Sequence, residues 1–320
     1  MKLKDLYKFI IEYGRRQDPR GVKIVDRDMA RIKKQYQHLS GRGKKEFDLE
    51  RLVNPYADTR ILNGGLETKV KTILVGIDIE TGELVLADRL REKGGRIDLV
   101  MSHHPEGKAH AGFFKVMYMQ ADILHKYGVP INVAEGILQQ RITEVARKVM
   151  PANHNRSVDA ARLLGIPFLC VHTPADNGVA VYLQKVLDGK TPETLADIVS
   201  IIEEIPEYQY EMDHNIVPAI VVGKESSRAG KIFVDMTGGT EGSEKMLEAL
   251  ARAGVGTIVG MHLGEKHIKE AEKNNVNIVI AGHMASDTLG INLLLDALLK
   301  KETIKIICCS GFNRVARAAG

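Results

Sequence analysis

The stretch Ile97-Asp-Leu-Val-Met-Ser-His-His-Pro105 runs an apolar strand straight into two histidines and a proline. Leu, Val and Met follow one another without polar alternation, which marks a strand covered on both faces. The proline stops the strand, so both histidines can turn toward one cavity instead of pointing to opposite faces of a sheet. Outward from this junction, Lys71–Ile79, Ile131–Ala134, Pro167–Val171, Ile216–Val222, Lys231–Met236, Gly256–Met261 and Val276–Ala281 read as further strands. Helical segments such as Phe113–Tyr127, Leu138–Met150 and Ser243–Ala253 lie between them. Buried strands spaced by helices define an α/β fold with mostly parallel or mixed sheets. The predicted organisation is a basic helical extension over residues 1–55, a first α/β lobe over 56–190 and a second over 191–320, both contributing to one site.

Open α/β sheets place their ligands beyond the carboxyl ends of the strands, and three more strands here also run into histidine. Pro167–Val171 leads to His172-Thr-Pro-Ala-Asp176, Val276–Gly282 to His283-Met-Ala-Ser-Asp287, and Gly256–Met261 to His262-Leu-Gly-Glu-Lys-His267. If a helix begins after the strand, a histidine and an aspartate four residues apart share a face and can reach one ion. Taken singly, each pair could equally be a helix cap or a satisfied core histidine. Jointly, His103, His104, Asp176, His283 and Asp287 offer five nitrogen or oxygen donors, more than one four-coordinate ion requires. Because carboxylates bridge, that count points to two divalent ions, the arrangement that activates a water and clamps an oxyanion during hydrolysis. The absence of thiolates from the set leaves Zn, Mn, Fe, Co and Ni eligible.

These motifs, in this order, resemble those of the Nif-three-like (YbgI-type) dinuclear-metal family, whose members are commonly labelled GTP cyclohydrolase I type 2 homologues. The resemblance covers roughly residues 55–185 and 215–320. It implies two α/β lobes with a metal pair in the cleft between them, and a homo-oligomer, usually a hexamer, acting on a small molecule. It also implies ligands at His103, His104, Asp176, His283 and Asp287, with His172 and His267 close to the metals as proton carriers or outer partners. This sequence departs from the family pattern in four places. Asp287 replaces the usual glutamate, Leu263-Gly264-Glu265 replaces Thr-Gly-Glu, Ala57–Gly65 matches the early family motif loosely, and residues 1–55 are longer and more basic than the usual start.

The expected activity is a metal-dependent hydrolase of a nucleotide-like or phosphorylated small molecule. The alternatives are a metal-delivery protein and a regulatory interaction factor. Thr237-Gly-Gly-Thr-Glu-Gly-Ser243 could offer backbone amides to a phosphate but lacks the Gly-Lys-Ser/Thr of a P-loop, and an ordinary turn explains it as well. No Ser-His-Asp or Gly-x-Ser-x-Gly signature supports covalent acyl chemistry.

Composition bounds the rest. At 320 residues, 44% hydrophobic and 27% charged, the chain can bury a sizeable core and is neither disordered nor fibrous. Its net charge of +4 is uneven, with sixteen Lys and Arg against nine Asp and Glu in residues 1–60. A solvated helical face accounts for such interspersed charge more readily than nucleic-acid binding does. No apolar run reaches the roughly 18 residues that span a bilayer and no signal-peptide core is present, so the expected location is cytoplasmic with no membrane partner. Three cysteines, Cys170, Cys308 and Cys309, make no disulfide framework.

Overall fold

The computed structural model of the chain describes residues 1–317. Nine strands, β1 (Arg60–Asn63), β2 (Thr72–Gly76), β3 (Leu99–Ser102), β4 (Phe168–Cys170), β5 (Ala219–Val222), β6 (Lys231–Asp235), β7 (Val255–Gly260), β8 (Asn277–Ile280) and β9 (Lys305–Cys308), form two sheets. The first runs β1-β4-β3-β2-β9 and the second β5-β8-β7-β6. Each is parallel except for one antiparallel edge, β1 on β4 and β5 on β8. The α/β class with buried, mostly parallel sheets is therefore as expected, and β2 and β3 are buried at every residue.

Two long helices, Thr173–Lys190 and His283–Leu299, pass between the sheets and pack on each other. The second is apolar almost all round because it serves both layers. Its Ala285 and Leu289 pack with Val259 and Val279 of the second sheet. Ile291, Leu294 and Leu295 pack with Ile73 and Val75 of the first. Both helices begin directly after a strand, so their first turns lie together at the carboxyl ends of β4 and β8.

Three expectations are corrected. Ile131–Ala134 is no strand but the first turn of helix Ile131–Val149, which Pro130 opens from its N-cap position. The second lobe does not run to the end of the chain, since β9 pairs in parallel with β2 and returns the C-terminal segment to the first sheet. Nor are residues 1–55 merely a basic extension. Leu3, Leu6 and Ile10 of helix Leu3–Arg16 are fully buried in the same cluster as Ile73, Leu169 and Ile291, which places the apolar face of that helix inside the first core. The following helix, Val22–His38, buries only Val25 and Met29 and carries the solvated basic face. Among the described residues, no helix is long and apolar enough to cross a membrane.

Candidate metal centre

Each proposed donor is aimed by backbone geometry at the end of a strand. Beyond β3, the amides of His103 and His104 donate to the carbonyls of Gly76 and Ile77 at 3.0 Å each, which holds the His-His pair against the end of β2. His103 is fully buried, and its Nδ1 donates to the Val171 carbonyl at 3.0 Å. His104 donates Nδ1 to Asp78 at 2.6 Å. In both rings Nε2 is thereby left to face the cleft. Beyond β4, His172 donates Nδ1 to Asp58 at 2.8 Å, and Asp176 follows one helical turn later. Beyond β8, His283 and Asp287 share a face of the second long helix.

These groups converge. His103 Nε2 lies 3.3 Å from both Asp176 Oδ1 and Asp287 Oδ1, while His104 Nε2 and His283 Nε2 each lie 3.3 Å from Asp287 Oδ2. Two triads result, His103/Asp176/Asp287 and His104/His283/Asp287, with the oxygens of Asp287 divided between them. A third grouping, His103/His104/His172, brings His172 to the same place. Charge-assisted hydrogen bonds between nitrogen and carboxylate measure about 2.7–2.9 Å. Two donors held about 2.0–2.1 Å from one tetrahedral ion are separated by about 3.3 Å, the spacing seen here. His103 Nε2, Asp176 Oδ1 and both Asp287 oxygens are buried with no hydrogen-bond partner. Four orphaned polar atoms in one cleft are costly unless a cation satisfies them, so the residues suit divalent metal.

The electrostatics agree. Burial raises the Asp287 carboxyl, but the His103 imidazole facing it, with His104 and His283, outweighs that and holds it well below the ordinary carboxylate range. Burial opposes charge on His104, yet Asp287 and Asp78 push it up to about 9. His103 is likewise raised by Asp287 and Asp176 against its burial. His283 is lowered, chiefly by burial.

The five predicted donors are thus brought together, with His172 beside them. His267 is not. It is buried away from the triads, its Nε2 donating to the Gly242 carbonyl at 3.0 Å and its Nδ1 3.5 Å from Glu241, so it staples the turn after β6 in place rather than reaching the metals. His110, a histidine with no motif of its own, pairs with His154 behind the Phe113 ring, which in turn lies against His172.

Asp58 and Asp78, the partners that orient His172 and His104, do not stand out in the sequence. Asp78 follows β2, and the strand-end rule reaches it only when the strand stops at Gly76 instead of running on to Ile79. Asp58 sits in a loop 114 residues before its partner, where only the loose family motif Ala57–Gly65 hints at it.

No protein-family model and no curated protein matches the chain. Among solved structures it is similar to the NIF3 superfamily protein from Sphaerobacter thermophilus, at 27% identity over 80% of this chain and 92% of that one, with a TM-score of 0.69. The structures it matches are NIF3 superfamily proteins. Weaker likenesses are to reduced HcgD from Methanocaldococcus jannaschii (16% identity, 77% of this chain and 86% of that one, TM-score 0.49) and to a Bacillus cereus protein related to NIF3 (12%, 78% and 89%, 0.39). Where the resemblance leads to a glutamate this chain has Asp287, and the 3.3 Å spacings show that the shorter side chain still meets three imidazoles.

Proposed function

We propose that this NIF3-like chain is a hydrolase that uses two divalent ions, drawn from Zn, Mn, Fe, Co or Ni, to act on a nucleotide-like or phosphorylated small molecule. The observation that carries the reading is Asp287, whose two buried oxygens each face a separate imidazole set. When bound, a metal pair supplies Lewis acidity and brings the pKa of water near neutrality. The chain's own contribution is orientation and proton handling. Val171, Asp78 and Asp58 fix the Nδ1 hydrogens of His103, His104 and His172, so that three Nε2 atoms present lone pairs to the cleft. Of these, His172 is the one whose partner is a fully buried carboxylate that also accepts from the Thr173 hydroxyl at 2.6 Å. That pairing steadies an imidazole that takes up a proton during turnover.

The same pairing favours an enzyme over a delivery protein, which needs donors but no oriented proton acceptor. By family resemblance the proposal extends to a homo-oligomer, a hexamer. The test is elemental analysis beside a metal-replete screen of nucleotides, pterin precursors and phosphoesters. Two ions per chain and turnover that Asp287→Ala abolishes are expected. Two ions with no turnover of any member would leave a metal carrier.

A further inference from the structure

The turn that joins β6 to the following helix forms part of the wall opposite the metal triads. Thr237, Gly239, Thr240 and Glu241 line the same cleft as Asp176 and Asp287. Four of its carbonyls are held by side chains. The buried Gln120 side chain donates to the carbonyls of Gly238 at 2.8 Å and Thr240 at 2.7 Å, Arg141 donates to that of Glu241 at 3.2 Å, and His267 to that of Gly242 at 3.0 Å. Among the described residues, no carbonyl or side chain accepts from the amides of Gly238, Gly239, Thr240 or Glu241. A turn whose carbonyls are largely held by side chains while its successive amides lack an acceptor is a nest for an anion.

The glycines are required for it. Gly238 and Gly239 have φ of 94° and 92°, a conformation that side chains rarely adopt. A Cβ on Gly238 would lie 2.8 Å from Gln120, and one on Gly239 2.9 Å from Val116. The turn is also tied across the cleft, through a Thr237 hydroxyl that donates to Asn177 at 2.7 Å, one residue past Asp176. The free volume of the cleft is about 50 Å³. That admits a few waters, and so one tetrahedral oxyanion, while a larger group attached to it must project outward.

Two carboxyls border the turn. Glu241 accepts from the Gly264 amide at 2.8 Å with Arg141 3.7 Å off. Asp235, at the end of β6, has no hydrogen-bond partner among the described residues, and burial, with Glu241 adding, pushes it up to about 7. Near neutrality it therefore carries less than a full negative charge beside the turn.

We infer that the amides of residues 238–241 form an oxyanion cradle that takes a phosphoryl group of the substrate and presents it to the metal triads. This assignment deepens the hydrolase reading above and rests on it for the identity of the ligand as substrate. The test is titration of the full-length, ¹⁵N-labelled protein with inorganic phosphate, against chloride at equal ionic strength, in metal-loaded and metal-stripped forms. Saturable downfield shifts of the Gly238, Gly239, Thr240 and Glu241 amides are expected in both forms with phosphate alone. Gln120→Leu, which frees the carbonyls to turn, should weaken the phosphate response at least tenfold while metal content stays unchanged. If that variant does not fold, the wild-type titration decides. Phosphate binding to the metal-loaded protein that leaves those four amides unmoved would overturn the cradle and leave the hydrolase standing. Failure of the protein to hold metal would sink the hydrolase, while the amide shifts in the stripped form would still report the cradle.

Discussion

The Nδ1 of His172 donates to Asp58 across 2.8 Å, and Asp58, from a loop at the edge of the first sheet, is fully buried. A second donor, the Thr173 hydroxyl, reaches the same carboxylate oxygen at 2.6 Å, so the carboxylate cannot swing away from the ring. The imidazole is thereby locked with Nε2 as the acceptor, 4.9 Å from the His103 ring centroid to centroid.

Asp58→Asn keeps the volume but removes the charge and allows the amide to offer a hydrogen to His172, which favours the wrong tautomer. The expected result is two ions still bound and turnover of the best phosphoester lowered about 10- to 100-fold. Metal analysis and kcat on the same preparation check it. Parallel loss of metal would make His172 a ligand rather than a proton carrier.

Asp287 serves both triads and Asp176 one. Asp287→Ala should therefore empty both positions, Asp176→Ala one, and His267→Ala neither, because His267 touches Gly242 and Glu241 instead. Elemental analysis after reconstitution and gel filtration distinguishes the three. Equal metal content in the two aspartate variants would mean that Asp287 does not bridge.

The site is more legible in the sequence than the fold around it. Apolar runs ending in histidine are local signals, and His103, His104, Asp176, His283 and Asp287 all lie within a few residues of a strand end. What the sequence hides depends on contacts between distant residues. Ile131-Asn-Val-Ala has the composition of a short strand, and only Pro130 and the apolar positions Leu138, Ile142 and Val145 farther along reveal one helix. The place of β9 beside β2 is a pairing over more than 200 residues that no local pattern encodes. The spacing of Leu3, Leu6 and Ile10 marks an apolar helix face, but neither that spacing nor the net charge of residues 1–60 tells that the face is buried in the first core.

Stripping the metals should make stability depend on alkaline pH. Against the effect of burial, Asp287 and Asp78 hold His104 at about 9, and Asp287 and Asp176 hold His103 above its ordinary value. A histidine raised in the folded state stabilises it fully below the unfolded pKa of about 6.5 and loses that contribution as pH climbs through the folded value. The stripped protein is expected to lose a few kcal/mol between about pH 6.5 and 9, since each tenfold gain in proton affinity on folding is worth on the order of 1.4 kcal/mol. Bound metal keeps the imidazoles neutral and abolishes the trend. Calorimetry with chelator or with Zn across that range reads it, and a flat Tm in the stripped protein would show that the carboxylates do not hold protons on these rings.

The N-terminal helix should influence the metal centre through Gly14. A Cβ at this position would lie 2.8 Å from Pro174 Cβ and 2.9 Å from the Tyr56 ring. Pro174 lies in the first turn of helix Thr173–Lys190, two residues from His172 on one side and two from Asp176 on the other. Any shift that relieves the contact therefore moves a ligand and its neighbour. Gly14→Ala is expected to cost about 1–3 kcal/mol by overpacking and to weaken metal at His103/Asp176/Asp287 while sparing His104/His283/Asp287. Gly136→Ala is the matched control, since it also lies within a helix and a Cβ there meets nothing within 4 Å. It should be neutral or stabilise by up to about 1 kcal/mol. Thermal unfolding and stepwise metal titration of the two variants give the comparison. Removal of residues 1–55 should be far more severe, because it strips Leu3, Leu6 and Ile10 from the first core and each large apolar side chain lost from a core costs about 2–5 kcal/mol. A truncated protein that kept its full Tm and both ions would contradict this packing, as would a Gly14→Ala variant indistinguishable from Gly136→Ala.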